Sequence, residues 1–320
     1  MVKSLPPAIL LMGPTASGKT GVAIELAQRL NGEIVSVDSA LVYRDMNIGT
    51  AKPDAATLRS APHHLIDLID PTQSYSAAQF RHDALKAMSD ITDRGKVPIL
   101  AGGTMLYFKA LMEGISALPQ ADAELRAEIE ERAATEGWPA LHAELSTLDP
   151  VTAARLKPTD SQRIQRALEV WHLTGAPMSQ QFGERSAEDF AYDALPIALL
   201  PSDRSELHRR IDARFTAMLN GGLIDEVQHL RKKYELVPNL PAMRAVGYRQ
   251  VWEFLDGNYD RKQLAARGMA ATRQLAKRQL TWLRAMAKLV VFDCLEKKLT
   301  PGVADYAGHW LKRQNFPTSH

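Results

Sequence analysis

The sequence predicts an α/β fold: a doubly wound parallel sheet with a small all-helical insertion domain and a helical C-terminal part. Three observations predict it. Short apolar runs recur at residues 8–12, 34–37, 65–69, 97–100, 195–200 and 289–292. They are bounded by Gly, Pro or Asp and separated mostly by helical patterns, the alternation that gives parallel strands covered on both faces. Between Ala121 and Pro158 no such run occurs, and after Leu200 the chain reads as almost all helix.

The first run, Ala8 to Met12, leads directly into Gly13-Pro14-Thr15-Ala16-Ser17-Gly18-Lys19-Thr20. Residues Gly21 to Leu30 follow with apolar positions at helical spacing. Strand, glycine-rich loop and helix form a phosphate cradle, or P-loop. Loop amides and the helix N-terminus face an anion, Lys19 adds a point charge, and the Thr20 hydroxyl can hold Mg²⁺. The chain therefore binds a polyphosphate.

The second run, Ile34 to Val37, ends at Asp38-Ser39. In a doubly wound sheet, function collects at the carboxyl ends of the strands. A carboxylate there serves as a Mg²⁺ ligand, a general base or a simple helix cap. The run at 97–100 ends in Ala101-Gly102-Gly103-Thr104. Its glycines permit close backbone approach, and the Thr104 hydroxyl suits a phosphate oxygen, a reacting amine or a plain turn.

Residues 121–158 are charged and helical, with turns at Gly137-Trp138-Pro139 and Asp149-Pro150, and read as an insertion domain. Residues 1–120 and 159–320 then form the P-loop core with basic C-terminal helices. After the run at 195–200, arginines at 204, 209, 210 and 214 open a helix, where one or two of them suit a phosphate.

Net charge is +2, but it is unevenly spread: residues 201–320 hold 21 Lys+Arg against 12 Asp+Glu. From Arg261 to Phe292 there are eight basic residues and no acidic one. On a helix over Arg267–Lys288, residues Arg273, Lys277, Arg284 and Lys288 fall within about 60° of arc, with Leu275, Trp282, Leu283 and Met286 opposite. That face suits a nucleic-acid backbone. Arg244, Tyr248 and Arg249 add an aromatic ring among basic groups, which suits a splayed base.

The single cysteine, Cys294, excludes a disulfide framework and a cysteine-based zinc site. The nine histidines form no ligand-spaced cluster, and His63-His64 read as structural. The five tryptophans have spacings that suit core packing. The N-terminal apolar run is too short to be a signal peptide or to span a membrane, so a cytoplasmic enzyme is expected; a monomer is the expected state.

Taken in order, the motifs resemble those of the bacterial tRNA dimethylallyltransferases, or tRNA isopentenyltransferases. The carriers are the P-loop, Asp38-Ser39-Ala40-Leu41-Val42-Tyr43-Arg44, Ile48-Gly49-Thr50-Ala51-Lys52-Pro53, His63-His64-Leu65-Ile66-Asp67 and Ala101-Gly102-Gly103-Thr104. Further on come Asp160-Ser161-Gln162-Arg163-Ile164-Gln165-Arg166-Ala167-Leu168-Glu169, Ala245-Val246-Gly247-Tyr248-Arg249-Gln250 and Lys277-Arg278-Gln279-Leu280-Thr281-Trp282-Leu283-Arg284. The resemblance implies transfer of a dimethylallyl group from dimethylallyl diphosphate to the exocyclic amine of the adenine 3′ of the anticodon, in tRNAs reading U-initial codons. It implies that Gly13 to Thr20 grip the diphosphate, with Lys19, Thr20 and Mg²⁺ stabilising its departure. Asp38 is then the general base, Thr104 supports the reacting region, and Arg214 neutralises leaving-group charge. The resemblance also implies tRNA contacts at Asp38, Ser39, Ala40, Leu41, Thr104, Arg126, Gln162, Arg163, Ile164, Gln165 and Arg166. In the C-terminal part it implies them at Arg244, Gly247, Tyr248, Arg249, Lys277, Arg278, Trp282 and Arg284. Some eukaryotic relatives add a Cys/His zinc motif, which this chain lacks.

Three other readings share the P-loop. A small-molecule kinase would leave the basic C-terminal face unexplained. An adenylate isopentenyltransferase would need neither that face nor the insertion. An RNA-binding nucleotide switch would ordinarily carry a guanine-reading Asn-Lys-x-Asp motif, which is absent.

Overall fold

The protein is described by a computed structural model covering residues 5–116, 118–181 and 190–314. Its six strands form one parallel sheet: β1 Pro7–Met12, β2 Gly32–Val37, β3 His63–His64, β4 Val97–Gly102, β5 Asp193–Leu200 and β6 Val290–Asp293, in the order β3-β2-β4-β1-β5-β6. Every residue of β1 is buried, as a central strand covered on both faces requires.

Helices α1 (Lys19–Arg29), α2 (Ala55–Ser60), α3 (Ala77–Asp93) and α4 (Met105–Glu113) connect the first strands. One face of the sheet, through Ile9, Leu11, Ile99 and Ile197, packs on Val22 and Leu26 of α1 and on Val303, Ala307 and Leu311 of the last helix. Helix α3 lies against β2 and β4 with Phe80, Ala84, Met88 and Ile91 buried. A capping box starts α3: Ser76 accepts the Gln79 N–H, and Gln79 accepts the Ser76 N–H.

The run at 65–69 is not a strand. Leu65 and Asp67 take positive φ (63° and 56°), which ends extension after His64 and leaves only an isolated bridge between Tyr43 and Ile69.

The chain divides into two compact units, Met1–Leu111 with Phe190–His320, and Met112–Asp189. The second is wider than the expected 121–158. It holds α5 (Ala123–Glu136), α6 (Trp138–Leu148), α7 (Pro150–Ala153) and α8 (Ser161–Thr174). Ile164, Ala167 and Leu168 of α8 share one core with Ile129, Leu141 and Leu145, so α8 belongs to this unit.

The first unit continues with α9 (Arg204–Asn220), α10 (Leu223–Lys233), α11 (Tyr248–Leu255), α12 (Arg261–Ala285) and α13 (Leu299–Arg313). Phe215, Leu223, Val227, Tyr248, Val251 and Leu264 build a core there with Val42, Tyr43 and Met46. Helix α12 stops at Ala285, short of the expected Lys288: Met286 is extended and Lys288 has φ 60°. No helix among the described residues is long and apolar enough to cross a membrane.

Candidate active site

The carboxyl ends of β1, β2 and β4 meet at one cavity of about 200 Å³ in the first unit. Its lining includes Thr15, Lys19 and Thr20 of the P-loop, Asp38, Ala40 and Leu41 after β2, and Gly103 after β4. Arg214 of α9, Tyr248 of α11 and Gln279 of α12 complete it. Lys19, Thr20, Asp38 and Arg214, separated by up to 195 positions in sequence, therefore face a common space.

The P-loop geometry follows from its glycines. Gly18 takes φ 82° as the cap of α1, and a Cβ on Gly13 would stand 2.7 Å from Ser17 Oγ. No side chain caps α1 and no acidic residue stands in its first turn, so its leading amides stay open to an anion. Lys19 Nζ donates to the carbonyls of Gly13 (2.9 Å) and Pro14 (2.7 Å). Burial and then the Arg214 guanidinium lower its pKa to about 8, against the opposing pull of Asp38 and Cys294. Burial also lowers Arg214, which Asp38 opposes. Two cations thus face a space where an anion would relieve their desolvation.

Asp38 Oδ1 accepts the Ala40 N–H at 2.8 Å, which turns the chain out of β2. The Thr104 hydroxyl accepts the Ser39 N–H at 3.0 Å, and the Thr104 N–H donates to Val37. Thr104 therefore fixes the segment that carries Asp38. Of the other arginines at the start of α9, Arg209 and Arg210 bond Glu206, and Arg210 also reaches the Cys294 carbonyl. Only Arg214 of those four lines the cavity.

Gln279 was missed by sequence reasoning. Its Oε1 accepts the Thr15 N–H at 2.8 Å and its Nε2 donates to the Gly103 carbonyl at 2.9 Å. The signal that pointed there was its place inside the Lys277–Arg284 motif. Ser36 was missed as well. It lines the cavity, is 3% exposed, and its Oγ has no hydrogen-bond partner.

A metal fits this donor set only as a hard cation. The described residues contain no cluster of three or more His, Cys, Asp or Glu suited to a metal. Hydroxyl and carboxylate oxygens at Thr20 and Asp38, with the orphaned Ser36 hydroxyl beside them, match Mg²⁺, which keeps waters and takes most other ligands from a phosphorylated substrate.

The basic face of α12 is smaller than its spacing predicts. Arg273 is bound to Asp212 of α9 (3.0 and 3.2 Å), and Lys288 lies beyond the helix. Lys277, Arg278 and Arg284 are exposed and, among the described residues, form no ion pair. Trp282 is 41% exposed rather than part of the core, with Lys109 Nζ 5.8 Å from its ring centroid. Arg244 and Arg249 are exposed, whereas Tyr248 is fully buried. Its side chain is packed in the core, so it cannot stack an outer base. Gly247 turns the chain into α11 with φ 98°.

In the second unit, Arg126 (2.7 and 3.0 Å) and Arg166 (2.5 Å) hold the fully buried Glu169. Burial pushes Glu169 up, but the two arginines outweigh it and keep the carboxylate ionised. Gln165 bonds the Arg126 carbonyl and Glu130. Gln162 and Arg163 are exposed. The Ile164 side chain lies in the core, so its side chain is unavailable to tRNA.

The IPP transferase family model matches residues 41–286. The chain belongs to the IPP transferase family. It is 62% identical over 298 residues to the tRNA dimethylallyltransferase of Methylobacillus flagellatus, covering 93% of this chain and 95% of that one. The solved tRNA isopentenylpyrophosphate transferase of Bacillus halodurans is 35% identical with a TM-score of 0.71, covering 98% of each chain. A eukaryotic dimethylallyltransferase acting on tRNA is 26% identical with a TM-score of 0.78, over 98% of this chain and 81% of that one.

Proposed function

We propose that this family member transfers a dimethylallyl group from dimethylallyl diphosphate to the exocyclic amine of the adenine 3′ of the anticodon, in tRNAs reading U-initial codons. The observation that carries the reading is the cavity in which Lys19 and Arg214 face the same space as Asp38. One bond forms, from the adenine nitrogen to the allylic carbon, and one breaks, between that carbon and the diphosphate oxygen. The amine proton goes to Asp38.

Each participant supplies what the chemistry lacks. An aromatic amine is a poor nucleophile, so a positioned carboxylate is needed to take its proton. Lys19, Arg214 and the open amides of α1 stabilise charge that grows on the departing diphosphate. Leu41, Ile211, Phe215, Met218 and Leu275 give the same cavity an apolar part suited to a five-carbon chain. The Thr20 hydroxyl would hold Mg²⁺, which when bound would supply Lewis-acid stabilisation of the leaving group. Ser39, Ala40, Leu41, Thr104, Arg244, Gly247, Arg249, Lys277, Arg278, Trp282 and Arg284 serve the RNA on the first unit. Arg126, Gln162, Arg163, Gln165 and Arg166 serve it on the second. The target adenine must leave its stack, at a cost of a few kcal/mol. Basic contacts to the anticodon stem offset that cost.

The test offers labelled dimethylallyl diphosphate and Mg²⁺ with an anticodon stem-loop RNA, beside reactions offering AMP or ATP. Label in the RNA alone is expected. Label in AMP would identify a free-nucleotide prenyltransferase instead, and phosphate release from ATP without prenyl transfer would identify a kinase or switch. Asp38→Ala is expected to lower turnover by about 10²- to 10⁴-fold while RNA affinity stays within about twofold; normal turnover would remove Asp38 as the base.

A further inference from the structure

Residues 38–54, between β2 and α2, contain no helix and no strand beyond the isolated bridge at Tyr43. The near end of this segment carries Asp38, and its later residues Gly49, Thr50 and Ala51 line the cavity with Tyr248. A long irregular segment beside a reacting centre needs anchors outside its own backbone.

Glu226 of α10 is such an anchor. Its carboxylate accepts three successive backbone N–H groups, from Asn47 (3.0 Å), Ile48 (2.7 Å) and Gly49 (3.2 Å). It also accepts the Tyr248 hydroxyl at 2.5 Å. Successive amides converging on one point form a nest that takes an anion, and the protein supplies the anion from its own helix. The two held parts are in contact: a Cβ on Gly49 would stand 2.4 Å from Tyr248 Cε2. Burial first, and then Glu226, push the Tyr248 phenol well above its ordinary pKa, so it remains a donor.

We propose that Glu226 is a positioning residue for the acceptor side of the reaction, locking Gly49–Ala51 and Tyr248 into the wall that holds the incoming adenine beside Asp38. This rests on the prenyl-transfer reading. The segment continues directly from Asp38, and none of these bonds involves the P-loop. Loss of Glu226 should therefore disturb the acceptor and spare the donor.

The experiment measures full-chain kinetics with each substrate varied separately, donor affinity by calorimetry and amide exchange at residues 47–49. The variants are Glu226→Ala, Glu226→Gln and Gly49→Ala, which pushes on the same wall from the other side. Glu226→Ala is expected to raise KM for the stem-loop about tenfold, keep donor Kd within about twofold, and speed exchange at Asn47, Ile48 and Gly49. Glu226→Gln, whose amide oxygen still accepts, should recover part of that loss. If Glu226→Ala does not fold, Gly49→Ala and Glu226→Gln must show the same selective rise in KM. Unchanged stem-loop kinetics would overturn the proposal. So would donor affinity, melting temperature and stem-loop KM worsening together, as a merely structural role predicts. Absence of prenyl transfer by the unaltered chain would instead remove the reading on which it rests.

Discussion

Gln279 ties Thr15 of the P-loop to Gly103 after β4, accepting the N–H of one and donating to the carbonyl of the other. A single amide from α12 thereby sets the spacing of two strand ends. The primary amide supplies the acceptor and the donor that these two backbone groups require from one planar group. Gln279→Leu strands both backbone groups, at about 1–3 kcal/mol each. Calorimetry should show dimethylallyl diphosphate binding at least about tenfold weaker. Gln279→Glu keeps the acceptor, loses the donor and adds negative charge beside the diphosphate, so it should bind weaker still. Wild-type affinity in both variants would dismiss the bridge as incidental.

Lys19 gives the donor site a pH signature. Its pKa stands at about 8, lowered by burial first and Arg214 next, and a bound diphosphate should raise it. Binding above pH 8 then takes up a proton, and donor affinity should fall as pH rises through that value. Calorimetry at pH 8.5 in two buffers of different ionisation enthalpy should report uptake approaching one proton. Lys19→Met should bind weakly and abolish the uptake; persistence of uptake in Lys19→Met would assign the proton elsewhere.

The P-loop was legible in sequence because its requirements are local: glycines for Gly13 and Gly18, a lysine, a hydroxyl and the flanking strand and helix. Gln279 was not, because its partners lie 264 and 176 positions away. Tyr248 was read from its basic neighbours, yet its burial depends on Gly49 and Glu226, which no local pattern shows. Likewise Arg273 and Lys277 share a helical face, but only Arg273 meets an aspartate on another helix. Spacing identified the face; packing decided which charges on it remained free. The same holds for the insertion, whose boundary moved because α8 shares a core with α5 and α6.

Glu33 predicts how the first unit responds to acid. The carboxylate is 4% exposed and bonded to Lys96 (2.8 Å), His64 (2.7 Å) and Arg94 (2.6 Å). Burial alone would raise its pKa, but these partners lower it to about 2. A depressed carboxylate stabilises the fold above its unfolded pKa near 4.5, and the contribution disappears as pH falls from there toward 2. The shift corresponds to a contribution on the order of 3 kcal/mol at pH 7. Urea unfolding of Glu33→Gln should show a loss of that order at pH 7, shrinking as the unaltered protein is acidified. A pH-independent difference would rule out ionisation as its source.

Lys277 and Arg284 lie two turns apart and within about 20° of each other around α12, exposed and without ion-pair partners among the described residues. If they neutralise phosphates, their loss removes counterion release as well as affinity. Each contact contributes about 0.7 to 0.9 to the slope of log K against log salt. The double variant Lys277→Ala with Arg284→Ala should therefore flatten that slope by roughly 1 to 2 and weaken stem-loop binding most at low salt. Arg273→Ala makes a sharp control, because Asp212 already occupies that guanidinium. Its salt slope should match the unaltered protein. A double variant with an unchanged slope would leave α12 a solvated helix face, and a flattened slope in Arg273→Ala would show that the Asp212 pair opens when RNA binds.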